Sequence, residues 1–69
     1  MRTSARNHFV GEVVEVKQGA VNDEVTITAA GGAQVVAIIT NDSVDRLGLV
    51  SGKAATAIFK ASSVIVGVD

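Results

Sequence analysis

The clearest pattern in the chain is the alternation in EVTITAA, Glu24 to Ala30, where Val25, Ile27 and Ala29 fall on one face and Glu24, Thr26 and Thr28 on the other. A period of two over this length predicts a half-buried β-strand. Gly31 and Gly32 can supply the positive φ angles of a tight hairpin, and QVVAIIT, Gln34 to Thr40, returns as the partner strand. That return strand is apolar on both faces. Upstream, HFVGEVVEVK, His8 to Lys17, is β-branched and strand-like, with Gly11 as a candidate bulge or bend. The loop QGAVND, Gln18 to Asp23, joins it to the alternating strand.

After Thr40 the texture changes. TNDSVDRLGL offers side-chain oxygens suited to capping, then Val44 and Leu47 three apart, then Gly48, which predicts a helix of about two turns. Thr40 or Asn41 is its N-cap, Asp42 and Asp45 lie near the positive end of its dipole, and Gly48 is its stop. SGK, Ser51 to Lys53, reads as a turn. AATAIF and VIVGV read as the last two strands, joined through KASS, Lys60 to Ser63. Five short strands with one helix between the third and fourth predict an all-β fold, a small OB-like barrel, in a single domain over residues 1–69.

Composition sharpens this picture. Hydrophobic residues make up 48% of the chain and charged ones only 19%, too apolar for so short a barrel to hide by itself. Chains of this size are marginally stable alone, there is no Cys for a disulfide or thiolate site, and a lone His8 cannot build a metal site. Oligomerisation is the remaining remedy, with one barrel face against other subunits. No apolar run approaches the roughly 20 residues that span a bilayer, and MRTSARN lacks a signal-peptide core, so no membrane role and a soluble, cytoplasmic location are expected. A net charge of -1, with Phe9 and Phe59 the only aromatics, argues against nucleic acid as partner, because an OB surface that binds it needs stacking rings on a basic groove.

Oxygen-recognising groups concentrate in three segments, TSARN (Thr3 to Asn7), TNDS (Thr40 to Ser43) and KASS. Arg6 offers a planar fork of donors, Lys60 a compact charge, and Ser4, Thr40, Ser43 and Ser62 hydroxyls that donate without adding charge. Such a set suits a small oxyanion held by directed hydrogen bonds. Each residue also has an ordinary role open to it. Arg6 can pair with a surface carboxylate, Lys60 can be a solvated strand-end lysine, Thr40 and Ser43 can be caps, and Ser62 and Ser63 turn formers. His8 reads as a strand-edge residue of no special role, and Phe59 as core. Asp42 and Asp45 must point away from any anion held nearby.

The wording of these segments carries a resemblance. SARN at Ser4 to Asn7, GEVVEVKQGAVNDEV at Gly11 to Val25, AIITNDSVDRLGL at Ala37 to Leu49 and KASSVIVGVD at Lys60 to Asp69 closely resemble the molbindins, the small Mop/TOBE-type molybdate-binding proteins. The resemblance runs in order over nearly the whole chain. It implies an OB-like barrel in a homohexamer, a trimer of dimers, that binds molybdate or tungstate between subunits with no cofactor and stores or buffers it in the cell. It would set Ser4, Arg6 and backbone N–H groups near Ala5 against the anion, with Lys60, Ser62 and the Ala61 N–H on the same oxygens. Thr40 and Ser43 would come from a neighbouring subunit with the start of its helix. A second kind of anion position, around a threefold axis, would involve the loop Gly19, Ala20, Val21 and Asn22. An oxyanion-sensing regulatory or scaffolding module that acts through a protein partner is the alternative. An enzyme is the least expected reading, since His8 has no companion for acid–base work.

Overall fold

In the computed structural model, which describes residues 1–69, strands β1 (Asn7–Lys17), β2 (Asn22–Ala29), β3 (Gln34–Thr40) and β4 (Ala54–Phe59) form one antiparallel sheet in the order β3-β2-β1-β4. Helix α1 (Asn41–Leu47) links β3 to β4, and a 3-10 turn, Ala61–Ser63, follows β4.

The long strand β1 does two jobs. Its first half pairs with β4, from Asn7 opposite Phe59 to Glu12 opposite Ala54, and its second half pairs with β2, from Gly11 opposite Ala29 to Lys17 opposite Glu24. Gly11 is therefore paired on both sides, and a Cβ there would run into the Thr28 carbonyl. Close approach of β2, not a bulge, accounts for this glycine. The irregularity expected at Gly11 lies instead between Val13 and Glu15, where one extra residue enters β1. The carbonyl of the extra residue, Val14, accepts the Ser51 hydroxyl at 2.9 Å, and Val13 exchanges backbone hydrogen bonds with Lys53 and Gly52. A bulge raises the local twist, so the sheet curls around its inner face at this point.

The hairpin between β2 and β3 forms as the glycines predict, with φ of 87° at Gly31 and 89° at Gly32. Val25 and Ile27 are buried, in keeping with their alternation, and with Val13, Val44 and Ala57 they make up the core. Thr26, on the face expected to be polar and open, is buried as well, in mid-sheet between Glu15 and Val36. Helix α1 is capped at both ends. The Thr40 hydroxyl accepts the Ser43 N–H at 3.1 Å, and Gly48, at φ 65°, closes the C-terminus. There the Leu49 N–H donates to the Val44 carbonyl and the Gly48 N–H to that of Asp45, a pattern that brings Leu49 and Val44 together against the core. Leu47, expected on the apolar stripe, is half exposed; Leu49 takes its place beyond the helix end.

Two features depart from a closed five-stranded barrel. Only 7 of the 69 residues are buried, a core too small for a chain that exposes Val10, Val36, Ile38 and Ile58 on its outer faces. The segment expected as the fifth strand, Val64 to Val68, pairs with nothing in its own chain, so the protomer has four strands. Ile65, Val66 and Val68 are between 83% and 94% exposed. A strand is defined by a partner edge, and hydrophobic sequence alone does not provide one.

Candidate functional site

Arg6 sits at the entrance to β1, and Lys60 one residue beyond β4. Because Asn7 pairs with Phe59, the sheet register carries the two flanking segments side by side. They enclose an open depression of about 460 Å³, lined by Thr3, Ser4, Ala5, Arg6, Lys60 and Ser62, together with Ile58 and Ala61. No carboxylate lines it, although the chain as a whole is slightly acidic. Six of the residues picked out above, Ser4, Ala5, Arg6, Lys60, Ala61 and Ser62, are thus brought together.

Their donors are largely unspent. No side-chain hydrogen bond of the protomer involves Ser4, Arg6, Lys60 or Ser62. The 3-10 turn closes through the N–H groups of Ser63 and Val64, donating to the carbonyls of Lys60 and Ala61, and no turn, loop or cap bond takes the N–H of Ala61 or Ser62. The first amides of any helical turn are left free in this way. Ala5 differs from expectation, because its N–H donates to the Thr3 hydroxyl at 3.1 Å. That amide reaches an anion only by sharing or releasing Thr3.

Thr40 and Ser43 stand elsewhere, where the edge strand β3 gives way to α1, and line no part of this depression. Thr40 Oγ1 accepts the Ser43 N–H and donates to Ser43 Oγ at 2.9 Å, which leaves the Ser43 hydroxyl proton as the free end of a short chain of donors. Replacing Thr40 by valine keeps the shape and removes the cap. It is expected to cost about 1 kcal/mol of unfolding free energy, read as a lower urea midpoint at unchanged slope.

The loop Gly19 to Asn22 lies beside this second cluster, since Asn22 pairs with Thr40. It is held by Asn41, expected only as a possible helix cap, and by Asp23, expected only as the end of the loop. Asn41 donates its side-chain amide to the Gly19 carbonyl at 3.3 Å and its backbone N–H to the Val21 carbonyl at 2.9 Å, while the Gly19 N–H donates to the buried Asp23 carboxylate at 3.2 Å. The sequence cue for Asn41 was its capping chemistry, which serves the loop and not the helix. Phe59 packs edge-on against Phe9, with centroids 5.6 Å apart, and does not line the depression.

A curled four-stranded sheet with one capped helix defines a small OB-like domain, and its cationic depression is free of carboxylates. Residues 3–66 match the TOBE domain, and the chain belongs to that family. It is 44% identical over 69 residues to the probable molybdenum-pterin-binding protein of Haemophilus influenzae, covering 100% of both chains. It is 51% identical over 66 residues to the molybdenum transport protein ModE of Herbaspirillum seropedicae, matching 96% of this chain but only 24% of that longer protein. Among solved structures it is similar to the cytoplasmic molybdate-binding protein ModG with molybdate bound, at a TM-score of 0.95 and 45% identity, over 100% of this chain and 49% of that one. No helix here is long and apolar enough to cross a membrane.

Proposed function

We propose that this protein binds molybdate, and tungstate with it, at interfaces between copies of its own chain. The observation that carries the reading is the carboxylate-free depression in which Arg6, Lys60, Ser4 and Ser62 converge with unspent donors. A tetrahedral dianion is matched by many directed donors around two cations, and binding consists of exchanging its hydration water for them. No hydrogen bond couples the Ser4 or Ser62 hydroxyl to Lys60 as a nucleophile is coupled to its base, and the reading is one of binding.

The depression is far wider than one oxyanion, and a further wall is needed to close it. Thr40 and Ser43 of a neighbouring copy are suited to that wall. Assembly also accounts for the exposed Val36 and Ile38 and for the unpaired Val64–Val68 segment, which can add to a free sheet edge of another copy. A homohexamer arranged as a trimer of dimers satisfies these demands with closed symmetry. The Gly19–Asn22 loop, held by Asn41 and Asp23, is the place for a second anion position in that assembly. Storage and buffering of the oxyanion in the cytoplasm is the role that fits a protein with binding groups alone. The ModE likeness favours a second reading, a sensing module acting through a protein partner, because there the corresponding segment is about a quarter of a longer chain.

Calorimetric titration of anion-free protein with molybdate, repeated in excess sulfate and with particle mass followed by light scattering, tests the proposal. Binding that survives sulfate, in a particle of several subunits, is expected. A properly assembled particle that gives neither heat nor thermal stabilisation would overturn it. Sulfate shares the charge and shape of molybdate, so cavity size must do the selecting.

A further inference from the structure

The outer face of the β1–β4 pair carries one group that the oxyanion reading leaves unused, the imidazole of His8. His8 stands directly opposite Ile58 in the antiparallel register, and opposed residues project to the same face with Cβ atoms roughly 5 Å apart. Ile58 is a wall of the depression. The neighbouring pair, Phe9 opposite Ala57, belongs to the inner face, where Ala57 is buried, so His8 points outward and is exposed.

The charges around His8 are unequal in sign. Arg6 precedes it by two residues, and Lys60 follows Ile58 by two residues in backbone that stays extended. Arg2 and the N-terminal ammonium open the segment whose Thr3 and Ser4 line the depression. The one carboxylate along this face of β1 is Glu12, four residues on, about 13 Å away at the usual rise of a strand. From β4 the residues of the same face are Thr56 and Ala54, which carry no charge, and β2 meets β1 only from Gly11 onward. A cation formed at His8 therefore adds to Arg6 and Lys60, and no carboxylate of β1, β2 or β4 stands beside it on this face to cancel it.

We propose that His8 is a rim residue that sets oxyanion affinity according to pH, its imidazolium supplying a third positive charge beside the anion without touching it. The inference rests on the oxyanion reading above. Imidazole is the side chain whose charge changes between about pH 5 and 8. Dilute, monomeric molybdate stays a dianion across the window tested below, so a change in affinity there reports the protein and not the ligand. A bound dianion favours the imidazolium form; binding takes up protons, and affinity rises as pH falls. Across one residue's width the attraction is screened but not abolished, and a several-fold effect follows.

The test is titration with sodium molybdate at about pH 7.2 and about pH 5.8 at fixed ionic strength, a window below that in which α-amino groups lose their proton. The wild-type protein is expected to bind roughly fivefold tighter at the lower pH. His8→Gln should bind equally at both, at the weaker level, and His8→Lys equally at both, near the tighter one. A wild-type affinity that does not move with pH, or a glutamine variant that keeps the full slope, overturns the inference and leaves the oxyanion site standing. No molybdate binding at either pH removes the oxyanion reading itself and this inference with it.

Discussion

Replacing Arg6 or Lys60 by alanine is expected to weaken molybdate binding by about 10- to 100-fold in each case, with particle mass unchanged. Hydrogen bonds to a charged group contribute about 1.5–3 kcal/mol apiece, and neither side chain has another partner in the protomer to take up the loss. Both residues are exposed, so the unliganded protein should keep its thermal midpoint within the small range usual for surface substitutions. Arg6→Lys separates charge from geometry. It keeps the cation and loses the planar fork, and an affinity between wild type and alanine is the expected result. Thr40→Val, which removes one uncharged donor, should weaken binding in the same direction by less than either alanine variant. Unchanged titrations in both Arg6→Ala and Lys60→Ala would exclude this depression as the site.

Ending the chain after Ser63 is expected to break the particle into smaller units and to abolish binding more completely than either alanine variant. Ile65, Val66 and Val68 lie almost wholly in solvent in the protomer, and burying each such side chain is worth about 1.5–3 kcal/mol. The sheet leaves β3 and β4 as free edges, so a partner strand also satisfies backbone groups that no side chain reaches. If the depression is closed by Thr40 and Ser43 of another copy, a lone protomer keeps its own donors but lacks that wall. Sedimentation or light scattering, read beside a molybdate titration, checks both consequences. The full-length variant Ile65→Asp with Val66→Asp serves where the shortened chain fails to fold, since it keeps every backbone group and makes burial of the tail costly. A variant that keeps its mass and its affinity would show that the tail is not the connector.

Much of this architecture was legible from local chemistry. The alternation in Glu24 to Ala30, the glycine pair at the hairpin, the Thr40 cap and the Gly48 stop each depend on neighbours within a few residues, and each appears where expected. Other features were not legible because their cause is distant in sequence. The bulge at Val14 is met by Ser51, and Gly11 is a glycine because of Thr28, contacts that exist only after the strands pair. The apolar Val64–Val68 segment met every local criterion for a strand and has no partner within its own chain.

The site divides in the same way. By itself the sequence determined which groups are available, two cations and several hydroxyls in three short segments, and through its motifs the family to which they belong. Only the tertiary structure decided that two of those segments share one depression while the third stands apart. The pairing of Asn7 with Phe59 sets SARN against KASS across more than fifty residues of chain, and the same sheet carries Thr40 to a different edge. Strand register is a long-range property, set by the burial of one face and the close approach of backbones, and no spacing along the chain encodes it directly.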